Sequence, residues 1–221
     1  MRAAGVRHVV YVSSASVTYP RRTAYAESKL AAEAIVAGSG GFQHTIVRPT
    51  LVYDRGGGQE LMMFLAYLRR FPVVPLIGAG TAIKRPVWAD DVVDGLARLA
   101  GNEVAYGRTY NLSGSEPISM LELSRLLLSQ EGMVKPFVRI PVPLCRAIAG
   151  VLSLCVTEPP LTASAIAGVV NDADLDPTLA MRDLGYRPIG VREGIPRCFA
   201  REPPVSAAAR TAVQGAYDEA V

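Results

Sequence analysis

Ser13 and Ser14 are followed, eleven residues after Ser14, by Tyr25-Ala26-Glu27-Ser28-Lys29, and no other grouping in the chain is as well suited to chemistry. On a helix Tyr25 and Lys29 stand at i and i+4, so they share a face one turn apart. A phenol ionises near pH 10 in water, and a cation held about 4 to 6 Å away lowers that by roughly 1 to 3 units, giving a group that exchanges protons near neutrality. Ser14, at the carboxyl end of a parallel strand, would reach the same substrate oxygen. Together the three would polarise a carbonyl or an alcohol. The competing reading is a chance YxxxK, with Tyr25 packed on the sheet and Lys29 in solvent. Against it, Lys29 is one of only three lysines beside 20 arginines, and a guanidinium would not supply the same compact charge.

These side chains need a frame. His8 to Val12 (HVVYV) is a continuous apolar, β-rich run, the pattern of a strand buried on both faces of a parallel sheet. Residues 24 to 37 are strong helix formers that stop at Gly38, and His44 to Pro49 reads as a second buried strand. Strand, helix, strand is a βαβ unit, hence an α/β fold. Downstream, Gln59 to Arg70 is a packed helix with Met62-Met63 as core filling, and Pro86 to Ala89 is a short strand. Asp90-Asp91 are acids at the start of a helix rather than a metal pair. Thr109 to Leu112 is another strand, and Ser119-x-x-Glu122 is a capping box opening a helix through Leu128. Asp176-Pro177 begins one late helix and Gly185 ends it. The organisation expected is a sheet domain over 1–135, a small, mostly helical lobe over 136–202 where prolines multiply, and an Ala-rich tail over 203–221.

Composition excludes several classes. Half of the 221 residues are hydrophobic and 19% charged, as in a globular chain. The net charge of +3 is spread without a basic run, which argues against nucleic acid. The longest apolar stretch, Ile140 to Val156, is broken by Arg146, prolines and a glycine, so no membrane span is expected. The first residues do not have the pattern of a signal peptide, and a cytoplasmic location is expected. Cys145, Cys155 and Cys198 lack metal-ligand or disulfide spacing and read as small buried hydrophobes. His8 and His44 fall at strand beginnings, the end opposite the expected site. No GxSxG, HExxH or P-loop is present.

The ordered segments VVYVSSASV, YAESK, TIVRPTLVYD and GAGTAIKRPVWADDVVDGLARLA make the chain similar to the NAD-dependent epimerase/dehydratase family of extended short-chain dehydrogenase/reductases, from residue 4 to about 195. The resemblance implies the carboxyl part of a Rossmann-like parallel sheet, NAD or NADP as cofactor, and a small-molecule hydroxyl or carbonyl substrate, possibly a nucleotide sugar. It assigns proton transfer to Tyr25, the nicotinamide ribose to Lys29 and substrate orientation to Ser14, with Ser13 as the alternative. It sets Ser13, Pro49 and Thr50 beside the nicotinamide. It turns Ser14, Leu51, Lys84 and Arg85 toward the substrate. Leu51 replaces an asparagine usual in sugar-nucleotide members, and Lys84 replaces an arginine that pairs with substrate phosphate. The family's opening strand and Gly-rich pyrophosphate turn have no counterpart here. Gly56-Gly57-Gly58 and Gly78-Ala79-Gly80 read as loops. A catalytically inactive, truncated member acting as a binding or assembly component, prone to self-association through an exposed half-sheet, is the alternative expectation.

Overall fold

A computed structural model describes residues 5–155 and 162–200. The expected tail over 203–221 and the side chain of Cys155 lie outside the described residues.

The chain opens with β1 (His8–Val12), a 3-10 turn over Ala15–Thr18, α1 (Ala24–Gly38) and β2 (Gln43–Pro49). It continues through β3 (Val52–Tyr53), α2 (Gln59–Arg70), β4 (Val74–Ile77), β5 (Ile83–Lys84), β6 (Val87–Trp88), α3 (Ala89–Ala97) and β7 (Arg108–Leu112). Then come β8 (Ile118–Ser119), α4 (Met120–Ser129), β9 (Phe137–Ile140), α5 (Val142–Cys155), α6 (Ala163–Val170), α7 (Thr178–Leu184) and α8 (Val191–Phe199).

The principal sheet is parallel, in the order β1-β2-β7, with Val12 opposite Val47 and Pro49 opposite Leu112. Its carboxyl ends therefore bring Ser13, Thr50 and Ser113 to one rim. Three short pairs surround it: β3 with β6, β4 with β9 and, antiparallel, β5 with β8. Thr23 caps α1 by accepting from the Ala26 N–H, and Ser119 and Glu122 form the reciprocal capping box of α4. Gly185 takes φ +64 just past α7, the left-handed conformation that suits glycine.

Packing divides into three clusters. The largest joins Leu61, Leu65 and Leu68 of α2 to Leu123 and Leu127 of α4 and to Val191 and Ile195 of α8. A second sets Val47 and Tyr110 of the sheet against Leu99, Ala180 and Leu184. A third, smaller one holds Cys145, Ala149 and Ile166 of the α5–α6 pair against Ile77 and Ile140. A fully buried leucine in such a cluster costs about 2 to 5 kcal/mol when cut to alanine.

Two expectations need correction. His8–Val12 is only partly buried and Val12 is exposed, because β1 pairs with β2 alone among the described residues, whereas Thr45, Ile46 and Val47 at the centre of β2 are buried. Met62 packs on the large cluster, but Met63 points to solvent, since the buried stripe of α2 runs through Leu61, Leu65 and Leu68.

Candidate active site

Tyr25 and Lys29 lie one turn apart near the start of α1, and the ammonium of Lys29 is 5.9 Å from the centre of the Tyr25 ring. Lys29 Nζ donates to the carbonyl of Val12 at 3.0 Å, at the very end of β1. It also stands 5.3 Å from the Tyr11 ring. One backbone oxygen and two aromatic faces thus fix the cation against the strand that leads into Ser13 and Ser14. Tyr25 is 56% exposed, so its side chain is open to solvent rather than packed on the sheet.

Ser13 and Ser14 diverge in environment, as neighbours at a strand end must. Ser13 is buried, its N–H donates to Val47 O at 2.7 Å, and its hydroxyl lies toward the Glu33 carboxylate without reaching a well-formed hydrogen bond. Ser14 is half-buried and begins the 3-10 turn, where its Oγ accepts from the Ser16 N–H at 3.2 Å and meets the Ser16 hydroxyl at 3.0 Å. Of the two, Ser14 is the one turned toward solvent.

Glu33 continues the face of α1 begun by Tyr25 and Lys29, at i+8, a series that could have been read from the spacing. Its carboxylate is buried and accepts from Arg48 Nε at 2.9 Å and from Arg48 Nη2 at 2.6 Å. Burial pushes the Glu33 carboxyl up, but the hydrogen bonds and charge of Arg48, helped by the nearby Ser13 hydroxyl, overcome it and hold the group below its ordinary value. The two-point pair ties α1 to β2 and so holds Tyr25 and Lys29 over the strand ends.

Pro49 and Thr50 close β2 on the same rim. Thr50 is buried, and its hydroxyl donates to the carbonyl of Arg85. Gly114 N–H donates to the same carbonyl at 3.3 Å. Leu51 packs on the large apolar cluster. Lys84 and Arg85 are engaged by the protein itself. Lys84 is 5% exposed, and its ammonium donates to Gly168 O at 2.7 Å and to Asn171 O. Burial drives its pKa down to about 8, with Asp172 opposing the shift. Arg85 pairs with Asp174 and donates to Ser115 O at 3.0 Å. The structure therefore gathers Tyr25, Lys29, Ser13, Ser14, Pro49 and Thr50 around the ends of β1 and β2, and turns the cations of Lys84 and Arg85 toward protein oxygens.

The other titratable residues have local duties. His8 Nε2 and Thr45 Oγ1 are 2.9 Å apart, and the ring of His8 lies 4.7 Å from that of Tyr106. Asp90 accepts from the Trp88 indole at 3.1 Å and Asp91 from the Ile189 N–H at 2.9 Å. The glycines at 56–58 and at 78 and 80 have positive φ and form turns. Among the described residues no helix is long and apolar enough to cross a membrane.

Residues 1–113 match the sequence profile of the NAD dependent epimerase/dehydratase family. Among curated proteins, the chain is 27% identical to an Arabidopsis thaliana 3beta-hydroxysteroid-dehydrogenase/decarboxylase, over 87% of this chain and 52% of that protein. It is 28% identical to subunit 9 of the NADH dehydrogenase [ubiquinone] 1 alpha subcomplex of A. thaliana, mitochondrial, over 71% of this chain and 39% of the subunit. The chain thus spans about half the length, or less, of these relatives. Among solved structures, the dTDP-glucose 4,6-dehydratase DesIV of Streptomyces venezuelae, with NAD and TYD bound, superposes with a TM-score of 0.64 at 21% identity, over 90% of this chain and 60% of that one. A UDP-glucuronic acid 4-epimerase from Bacillus cereus, in complex with UDP-glucuronic acid and NAD, superposes with a TM-score of 0.61 at 17% identity, over 87% and 60%. The expected Rossmann-type α/β fold is thereby borne out.

Proposed function

Since the chain belongs to the NAD-dependent epimerase/dehydratase family, we propose that its rim of strand ends is the proton-transfer half of a nicotinamide-dependent oxidoreductase site acting on a hydroxyl or its carbonyl. The supporting observation is the placement of Lys29, 3.0 Å from Val12 O and 5.9 Å from the Tyr25 ring. Among the described residues the ammonium of Lys29 donates to Val12 O alone, so two of its three N–H bonds can meet the hydroxyls of a nicotinamide ribose. Pro49, Thr50 and Ser13 would border the nicotinamide ring. That cofactor, NAD or NADP, supplies a site for the hydride.

The chain's own residues handle the proton. In the oxidative direction Tyr25 Oη, as phenolate, takes the hydroxyl proton of the substrate, and in the reductive direction the phenol returns it to the carbonyl oxygen. Lys29 holds its positive charge 5.9 Å from the Tyr25 ring. Ser14 donates to the substrate oxygen and fixes its direction. General acid–base work of this kind contributes about a hundred- to ten-thousandfold in rate. The similar proteins suggest two substrate classes, sugar nucleotides and 3β-hydroxysteroids.

The test is turnover of NAD(H) and NADP(H) by the protein and by Tyr25→Phe against a panel holding dTDP-glucose, UDP-glucuronic acid and a 3β-hydroxysteroid. Tyr25→Phe is expected to lose at least about a hundredfold in turnover while keeping its cofactor affinity. Undiminished turnover would remove Tyr25 from the role. A second reading, a subunit that binds without turning over and self-associates through the outer edge of β1, is favoured by the similarity to a subunit of a larger assembly. It predicts no turnover on any panel member.

A further inference from the structure

The segment Ile83-Lys84-Arg85 is joined to residues 168–174 at every polar group it offers them. Ile83 N–H donates to Asp172 Oδ1 at 2.7 Å, and Ile83 O accepts from the Ala173 N–H at 2.8 Å. Lys84 Nζ donates to Gly168 O and Asn171 O, the last carbonyls of α6, and Arg85 Nε pairs with Asp174. On its other side the segment is held to the site, since Thr50 donates to Arg85 O and the Lys84 ammonium lies 6.0 Å from the ring of Tyr19, just beyond the Ser14 turn.

This use of lysine recurs in the molecule. Lys135 Nζ donates to Leu68 O at 3.0 Å, Arg69 O at 2.7 Å and Phe71 O at 3.0 Å, closing the carboxyl end of α2. The carbonyls at a helix C-terminus lack intrahelical partners and carry partial negative charge, and a compact ammonium with three donors suits them. A phosphate arriving at Lys84 would have to compete with two such carbonyls for an ammonium that is itself buried.

We propose that the Lys84–Arg85 corner is a lock fastening the α5–α6 pair to the rim of the sheet, its cations committed to protein oxygens, so that the hydroxyl substrate of this site carries no diphosphate for that corner to receive. The substrate clause rests on the oxidoreductase reading above. The lock itself does not.

The experiment follows hydrogen exchange over residues 163–173 and calorimetric titration with UDP in the protein, Lys84→Met and Lys84→Arg. A lock predicts exchange in α6 faster by roughly tenfold or more in both variants, because the longer, flat guanidinium cannot sit between the two carbonyls. It also predicts no UDP binding up to about 1 mM in any of the three proteins. A phosphate receptor predicts micromolar UDP binding that is lost in Lys84→Met and kept in Lys84→Arg, with α6 exchange unchanged, and that result overturns the proposal. Unchanged exchange without UDP binding overturns the lock, and faster exchange with tight UDP binding overturns the substrate class. Should Lys84→Met fail to fold, Lys84→Arg gives both readouts. Neither readout uses cofactor or turnover, so the outcome is separate from the fate of Tyr25.

Discussion

Arg48 grips Glu33 at two points across the α1–β2 interface, Nε on Oε1 at 2.9 Å and Nη2 on Oε2 at 2.6 Å, one turn along α1 from Lys29. Removing one partner strands the other charge in a buried place. Arg48→Ala is therefore expected to destabilise the fold by about 3 kcal/mol, toward the lower end of the range for buried pairs because Arg48 itself is partly exposed. Since the folded carboxyl of Glu33 is held below its ordinary value of 4.5, its contribution is present above that pH and is lost as pH falls through the folded pKa. Urea denaturation of the protein and of Arg48→Ala from pH 7 down to pH 4 checks both points, and the gap between them should narrow at the acid end.

Gly114 marks the closest backbone approach at the rim. A Cβ built there would stand 2.1 Å from the carbonyl oxygen of Pro86, and backbone offers no flexible end to yield. Gly114→Ala should cost about 1 to 3 kcal/mol by forcing the two segments apart. Thermal denaturation measures it, and an unchanged midpoint would show that the Pro86–Gly114 approach is looser than 2.1 Å implies.

Lys84 gives a stability signature at alkaline pH. Its folded pKa is lowered to about 8, against 10.5 ordinarily, so between those values the unfolded chain binds more protons than the folded one. Stability attributable to Lys84 therefore rises with pH across that window, by on the order of 3 kcal/mol at most. Lys84→Met should lack the rise. Parallel denaturation curves for the two proteins from pH 8 to pH 10.5 would contradict the burial of this ammonium.

Much of the frame is legible in the sequence, for local reasons. α2 falls where its apolar clusters put it, α4 begins at its capping box and α7 ends at Gly185, because each signal lies within a few residues of its effect. β4 and β9 escape such a reading, being four-residue strands that pair across some sixty intervening residues and carry no alternating pattern. The site divides in the same way. Tyr25 and Lys29 are brought together by helical spacing alone. The use of Lys84 depends on carbonyls more than eighty positions later, and nothing in Thr81-Ala82-Ile83-Lys84-Arg85-Pro86 distinguishes a buried clamp from a solvated turn. Arg48 is similarly opaque until α1 is laid across β2.

In the proposed mechanism Lys29 and Tyr25 divide the work, one holding the cofactor ribose and the other moving the proton. Calorimetric titration of NADH and NADPH into the protein, Lys29→Met and Tyr25→Phe, with turnover followed on the same samples, separates these duties. Lys29→Met is expected to weaken cofactor binding about tenfold or more and to lose turnover. Tyr25→Phe should bind cofactor as tightly as the unaltered protein while losing turnover. Equal cofactor affinity in all three proteins, or turnover surviving in Tyr25→Phe, would contradict the account.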